Sequence, residues 1–125
     1  MNHPAVEQQI TFLYTEDLIE TAHFYEEIIG LKLVLDQETC RIYRICSGSY
    51  LGFCQKEGMS PAHDDIIFTL VTSKVNQWYQ FLLRKGLTLE KLPTKNPTFN
   101  IYHFTFRDPN GYLVEIQQFL DPTWE

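Results

Sequence analysis

No apolar run in this 125-residue chain approaches the ~18 residues that span a bilayer, so a transmembrane helix is not expected. The opening Met1-Asn2-His3-Pro4 has no basic region followed by a hydrophobic one, so no secretory leader is expected and the anticipated location is cytoplasmic. Positive charge is scarce: ten Lys and Arg stand against sixteen Asp and Glu, a formal net charge of −6. Nucleic acid and anionic membranes are therefore not expected partners. Cysteine is scarce too. Cys40, Cys46 and Cys54 are odd in number and show no C-x-x-C spacing, which argues against a disulfide framework or a zinc knuckle and for three reduced, largely buried thiols.

Apolar material is plentiful. Hydrophobic residues make up 44% of the chain, with nine Phe, seven Tyr and two Trp, ample for a packed core. The length predicts one domain over residues 1–125, or two very small modules sharing a core.

The order of elements occurs twice. A β-prone run from Gln9 to Thr15 leads to Asp17, which opens a helix with Glu20 three residues on; Leu18, Ala22, Tyr25 and Ile29 form its apolar stripe and Gly30 ends it. Strands are predicted at Lys32–Asp36, Cys40–Cys46 and Tyr50–Gln55, the last two joined by Ser47-Gly48-Ser49. Past a break at Gly58-Met59-Ser60-Pro61 the pattern returns. A strand from Asp65 to Val71 precedes a helix capped by Ser73 and ended by Gly86, followed by a strand near Thr88–Lys91, a Pro/Asn loop at Pro93–Thr98, and a hairpin of Asn100–Arg107 with Tyr112–Phe119. The prediction is an α+β fold of two tandem βαβββ modules, about residues 8–56 and 64–119, with a tail at 120–125; two curved four-stranded sheets facing one another would form a cleft.

The turn Asp108-Pro109-Asn110-Gly111 feeds an alternating strand that puts Glu115 on one face with Leu113 and Gln117, and Val114 and Ile116 on the other. On the preceding strand His103 and Thr105 share a face, opposite Tyr102, Phe104 and Phe106.

Asp17-Leu18, Phe24-Tyr25 and Ile29-Gly30-Leu31, followed by Arg107-Asp108-Pro109-Asn110-Gly111 and Val114-Glu115-Ile116, resemble the vicinal oxygen chelate superfamily, which includes glyoxalase I, bleomycin-binding proteins, fosfomycin-resistance proteins and extradiol dioxygenases. The resemblance runs from Ile10 to Phe119 and implies the fold above, a small-molecule ligand and a homodimer. Metal-dependent members present four inward ligands, a His or similar group on the first strand of each module and a Glu on the last. The matching positions here are Ile10, Gly52, Ile67 (or Ile66) and Glu115, so one of the four is an ionisable group. Gln8, His63 and Asp65 share strand faces with Ile10 and Ile67 but lie two or four residues along, ~7 to 14 Å away at ~3.3 Å per residue.

No cofactor is therefore expected; the alternative is a divalent metal held by Glu115 with His103, His63 or Asp65. By the resemblance, His103 and Thr105 face the ligand cavity, and His103 with Glu115 are the candidate catalytic pair for proton transfer. Phe12, Tyr14, Tyr50, Gly52, Cys54 and Thr69 complete the candidate ligand-binding set. The favoured function is metal-independent binding of a small molecule in an aromatic cleft. The alternatives are a metal-dependent lyase, isomerase or dioxygenase with an atypical site, or a metal-free acid/base enzyme.

Overall fold

The computed structural model describes residues 3–59 and 63–124, with His63 described by its backbone alone. Residues 1–60 and 61–125 form two compact units, a division that falls between the two sequence modules. The expected break at Ser60-Pro61 itself lies outside the described residues.

In the first unit, β1 (Gln9–Thr15), β2 (Lys32–Asp36), β3 (Cys40–Cys46) and β4 (Ser49–Gln55) form a mixed sheet in the order β1-β4-β3-β2. β1 lies parallel to β4, and the other pairs are antiparallel. Alternation decides which side is buried. Leu13, Tyr43, Leu51 and Phe53 point into the core, and Tyr25 from the helical segment packs there with its ring tilted against Phe53 at 4.8 Å between centroids.

The helix starts as the sequence predicts: Glu20 N–H donates to Asp17 Oδ1 at 3.0 Å. It then differs. α1 (Leu18–His23) passes into a π-helical turn over Phe24–Ile29 before Gly30 closes it at φ 85°. Phe24, Tyr25 and Ile29 of this turn are all buried in the core.

The second unit repeats the plan. β5 (His63–Val71), β6 (Thr94–Asn96), β7 (Ile101–Arg107) and β8 (Tyr112–Phe119) take the order β5-β8-β7-β6, with α2 (Val75–Arg84) on one side. Tyr79 of α2 meets Phe104 edge-on at 5.3 Å over a core of Leu82, Phe106, Val114 and Ile116.

Three expectations need correction here. Ser73 is not the helix cap: Lys74 occupies that position without a side-chain bond, and its N–H donates to Thr72 Oγ1. Thr88–Lys91 forms no strand, and the short edge strand β6 falls instead inside the predicted Pro93–Thr98 loop, paired with β7. The chain also carries a disulfide, because Cys40 and Cys54 are directly opposed on β3 and β4 with Cα atoms 4.1 Å apart. Cys54 is therefore a half-cystine and not the free thiol expected, and Cys46, the free cysteine, is exposed.

The Asp108 turn is built by a buried carboxylate. Asp108 Oδ1 accepts from the N–H groups of Asn110 and Tyr112, both at 2.9 Å, while Gly111 takes φ 89° and its N–H donates to the Asp108 carbonyl. This lock sets where β8 begins, and so on which face Glu115 emerges.

Candidate functional site

Register brings the second unit's candidates together. Thr69 pairs with Glu115 across β5 and β8, and Glu115 pairs with Thr105 across β8 and β7, so three neighbouring strands put these side chains in one row. His103 lies one diagonal step along, opposite Gln117. The face they share is the one turned away from Val114 and Ile116 and hence from α2.

Glu115 is held at both oxygens. Thr69 Oγ1 donates to Oε1 at 2.9 Å, and His103 Nδ1 lies 2.7 Å from Oε2. An ionised carboxylate only accepts, so the imidazole nitrogen facing it carries the proton. In the neutral ring that leaves the lone pair on Nε2. The pair is neither sealed nor loose, with 21% of the His103 side chain and 13% of the Glu115 side chain exposed. Thr105 is exposed beside them, and Gln117 is a buried polar neighbour.

The first unit places its candidates on the matching face. Ile10, Phe12 and Tyr14 of β1 pair in turn with Tyr50, Gly52 and Cys54 of β4, and Ile42 lies opposite Gly52 on β3. Row for row, Phe12-Gly52-Ile42 stands where the second unit has Thr69-Glu115-Thr105. The same register fixes Ile67 as the counterpart of Ile10, since each lies two residues before its row, settling the choice between Ile66 and Ile67.

Gly52 has a physical reason to be glycine. A Cβ there would come within 2.5 Å of Phe12 Cδ1, so the Phe12 ring occupies the space of the missing side chain. Sequence reasoning found both residues but not this contact. The Cys40–Cys54 pairing depends on the register shift between Arg44 and Cys46, since a plain hairpin centred on Gly48 would oppose Cys40 to Lys56.

The donor set does not fit a divalent metal at the four positions the resemblance implies. Ile10, Gly52 and Ile67 contribute no donor atom, and Glu115 already has both oxygens engaged by Thr69 and His103. Of the alternative ligands, Asp65 is exposed, and the His63 side chain lies outside the described residues. Among the described residues no group of three His, Cys, Asp or Glu side chains is assembled.

Two consecutive βαβββ units, each a mixed sheet with its parallel pair formed by the first and last strands, define the class of protein to which this chain belongs, an α+β fold of paired modules. The chain is a member of the Glyoxalase/Bleomycin resistance protein/Dioxygenase superfamily, whose family model matches residues 2–116. Among solved structures it is similar to a lactoylglutathione lyase from Agrobacterium tumefaciens, with 21% identity, a TM-score of 0.73, and 94% of this chain and 96% of that one covered. A glyoxalase/bleomycin resistance protein/dioxygenase from Alicyclobacillus acidocaldarius is similar with 16% identity, a TM-score of 0.77, and 91% and 92% covered. A virulence protein from Salmonella typhimurium is similar with 22% identity, a TM-score of 0.70, and 96% and 100% covered. At these identities the likeness is one of fold. No curated protein matches the chain in sequence.

Proposed function

We propose that the chain binds a small molecule without a metal, and that the Thr69-Glu115-His103 array engages the polar end of that ligand. The observation that carries the reading is the 2.7 Å contact between His103 Nδ1 and Glu115 Oε2, with the Thr69 hydroxyl on the other oxygen. Such an array fixes the ring's orientation and tautomer before a ligand arrives, which lowers the ordering cost of binding. Ile67, Val71 and Leu113 on the same face offer apolar contact beside the polar group.

A second reading is favoured by the same geometry. A ring fixed at Nδ1 by a carboxylate can take a proton at Nε2 from a bound substrate and return it, which is general acid/base chemistry that needs no metal. The two readings separate in one experiment. Fragments found by NMR screening of the untagged protein are tested for binding and for turnover in His103→Ala and Glu115→Gln. Weakened binding with no turnover in the wild type supports the binder; retained binding with turnover lost in both variants supports the enzyme. Ligands that bind with unchanged affinity and leave the Thr69, His103 and Glu115 resonances unmoved exclude both.

The same proposal includes a homodimer, supported by exposed apolar surface at Trp124, whose ring stacks on Phe119 at 3.9 Å. Sedimentation equilibrium at twice the chain mass is expected, and a single species at the chain mass would contradict it.

A further inference from the structure

In the first unit, charge is sorted by sheet face. The four strands carry one carboxylate, Asp36, and it points to the same side as Arg41, with which it pairs in register and forms a 3.6 Å ion pair. Arg41 also lies 3.6 Å from Glu26, which accepts the Tyr43 hydroxyl bond, so that side neutralises itself. Within the strands the opposite face has Arg44 and Lys32 and no carboxylate; just past the strand ends lie Lys56 and Glu16, whose carboxylate accepts the Met59 N–H. Arg44 lies over the Tyr50 ring at 5.9 Å, Lys56 Nζ lies over the Tyr14 ring at 4.6 Å, and Lys32 pairs with Arg44 in register.

Between these cations the face is aromatic and open. Phe12 is 53% and Tyr14 51% exposed, and the Phe12 ring lies against the backbone of Gly52. An exposed ring lying over a glycine offers its outer side as a flat surface, and flanking ammonium and guanidinium groups set the sign of what it attracts. In a chain of net charge −6, cations gathered on one aromatic face mark a place where negative charge is to be received.

We propose that this face of the first unit binds a planar aromatic anion, such as an aromatic carboxylate, whose ring stacks on Phe12 and whose charge is met by Lys56 or Arg44. The proposal rests on the small-molecule reading above but on different residues, so the two can fail separately.

The test is titration of the isotope-labelled whole chain with naphthoate, and with neutral naphthamide, followed by backbone amide NMR. Naphthoate is expected to shift amides of β1, β3 and β4 and to bind at least about fivefold more tightly than naphthamide. Lys56→Gln with Arg44→Gln should remove that preference. Phe12→Ala should weaken naphthoate by about fivefold or more, and Phe12→Leu, which keeps an apolar side chain over Gly52, should also weaken it through loss of the ring. Equal affinity for the two probes overturns the proposal, as does the absence of shifts in β1, β3 and β4. Shifts confined to β5, β7 and β8 overturn it while leaving the His103–Glu115 reading standing.

Discussion

Glu115 carries more of the account than any other residue, and its two bonds make separable predictions. Replacing Thr69 by Val removes the hydroxyl donor to Oε1 without changing side-chain size, and should lower stability by about 1–2 kcal/mol in urea unfolding. Replacing Glu115 by Ala frees His103 Nδ1. Ring nitrogen-15 NMR should then show the neutral imidazole moving from the Nδ1–H form of the wild type to a mixture rich in the Nε2–H form. An unchanged tautomer would mean that the carboxylate does not set the ring. Tyr43 is the residue whose ionisation should be felt in stability. Burial, reinforced by its bond to Glu26, holds its hydroxyl proton well above the ordinary value of 10.0. The folded state therefore retains a proton that the unfolded chain gives up, so this contribution is complete below pH 10.0 and is lost as pH rises beyond it. Tyr43→Phe should flatten the alkaline fall in unfolding free energy, and an unaltered slope would place the cause elsewhere.

At the scale of elements, hairpins were legible and the pieces between them were not. The turn residues Asp108 to Gly111 fix where β8 begins, and alternation then groups His103 with Thr105 and Glu115 with Leu113 and Gln117; that the two groups share one face was implied by the family resemblance, and the β7–β8 register pairs Thr105 with Glu115. The Asp108→Ala change should expose this dependence. It strips two backbone N–H groups of their acceptor in a buried turn and should cost about 2–3 kcal/mol, measured by denaturant unfolding. The π-helical turn at Phe24–Ile29 was not legible, because its residues satisfy an α-helical stripe equally well and only packing against Phe53 and Tyr43 decides the winding. β6 was missed since a three-residue edge strand in a Pro/Asn loop has no periodicity to read. The Cys40–Cys54 bond was not legible for a different reason: the hairpin read around Ser47 to Ser49 opposes Cys40 to Lys56, and only the register shift between Arg44 and Cys46 opposes it to Cys54. Alkylation of the unfolded, unreduced protein should label Cys46 alone, and labelling of all three cysteines would show the pair to be reduced.

Over the whole molecule, one plan is written twice and then used differently. The matching rows Phe12-Gly52-Ile42 and Thr69-Glu115-Thr105 come from the same strand order, yet one is an aromatic surface over a glycine and the other a hydrogen-bonded polar array. Fold membership follows from the shared plan; what the chain does depends on these substitutions. Ile10, Gly52 and Ile67 offer no donor atom to a divalent ion, and both oxygens of Glu115 are engaged by Thr69 and His103. The most direct test is elemental mass spectrometry of the purified, untagged protein, paired with its melting temperature before and after a chelator and on addition of nickel, manganese, iron or zinc. The account predicts metal far below one ion per chain and an unmoved melting temperature. Near-stoichiometric metal, with a melting temperature that falls on chelation, would contradict it.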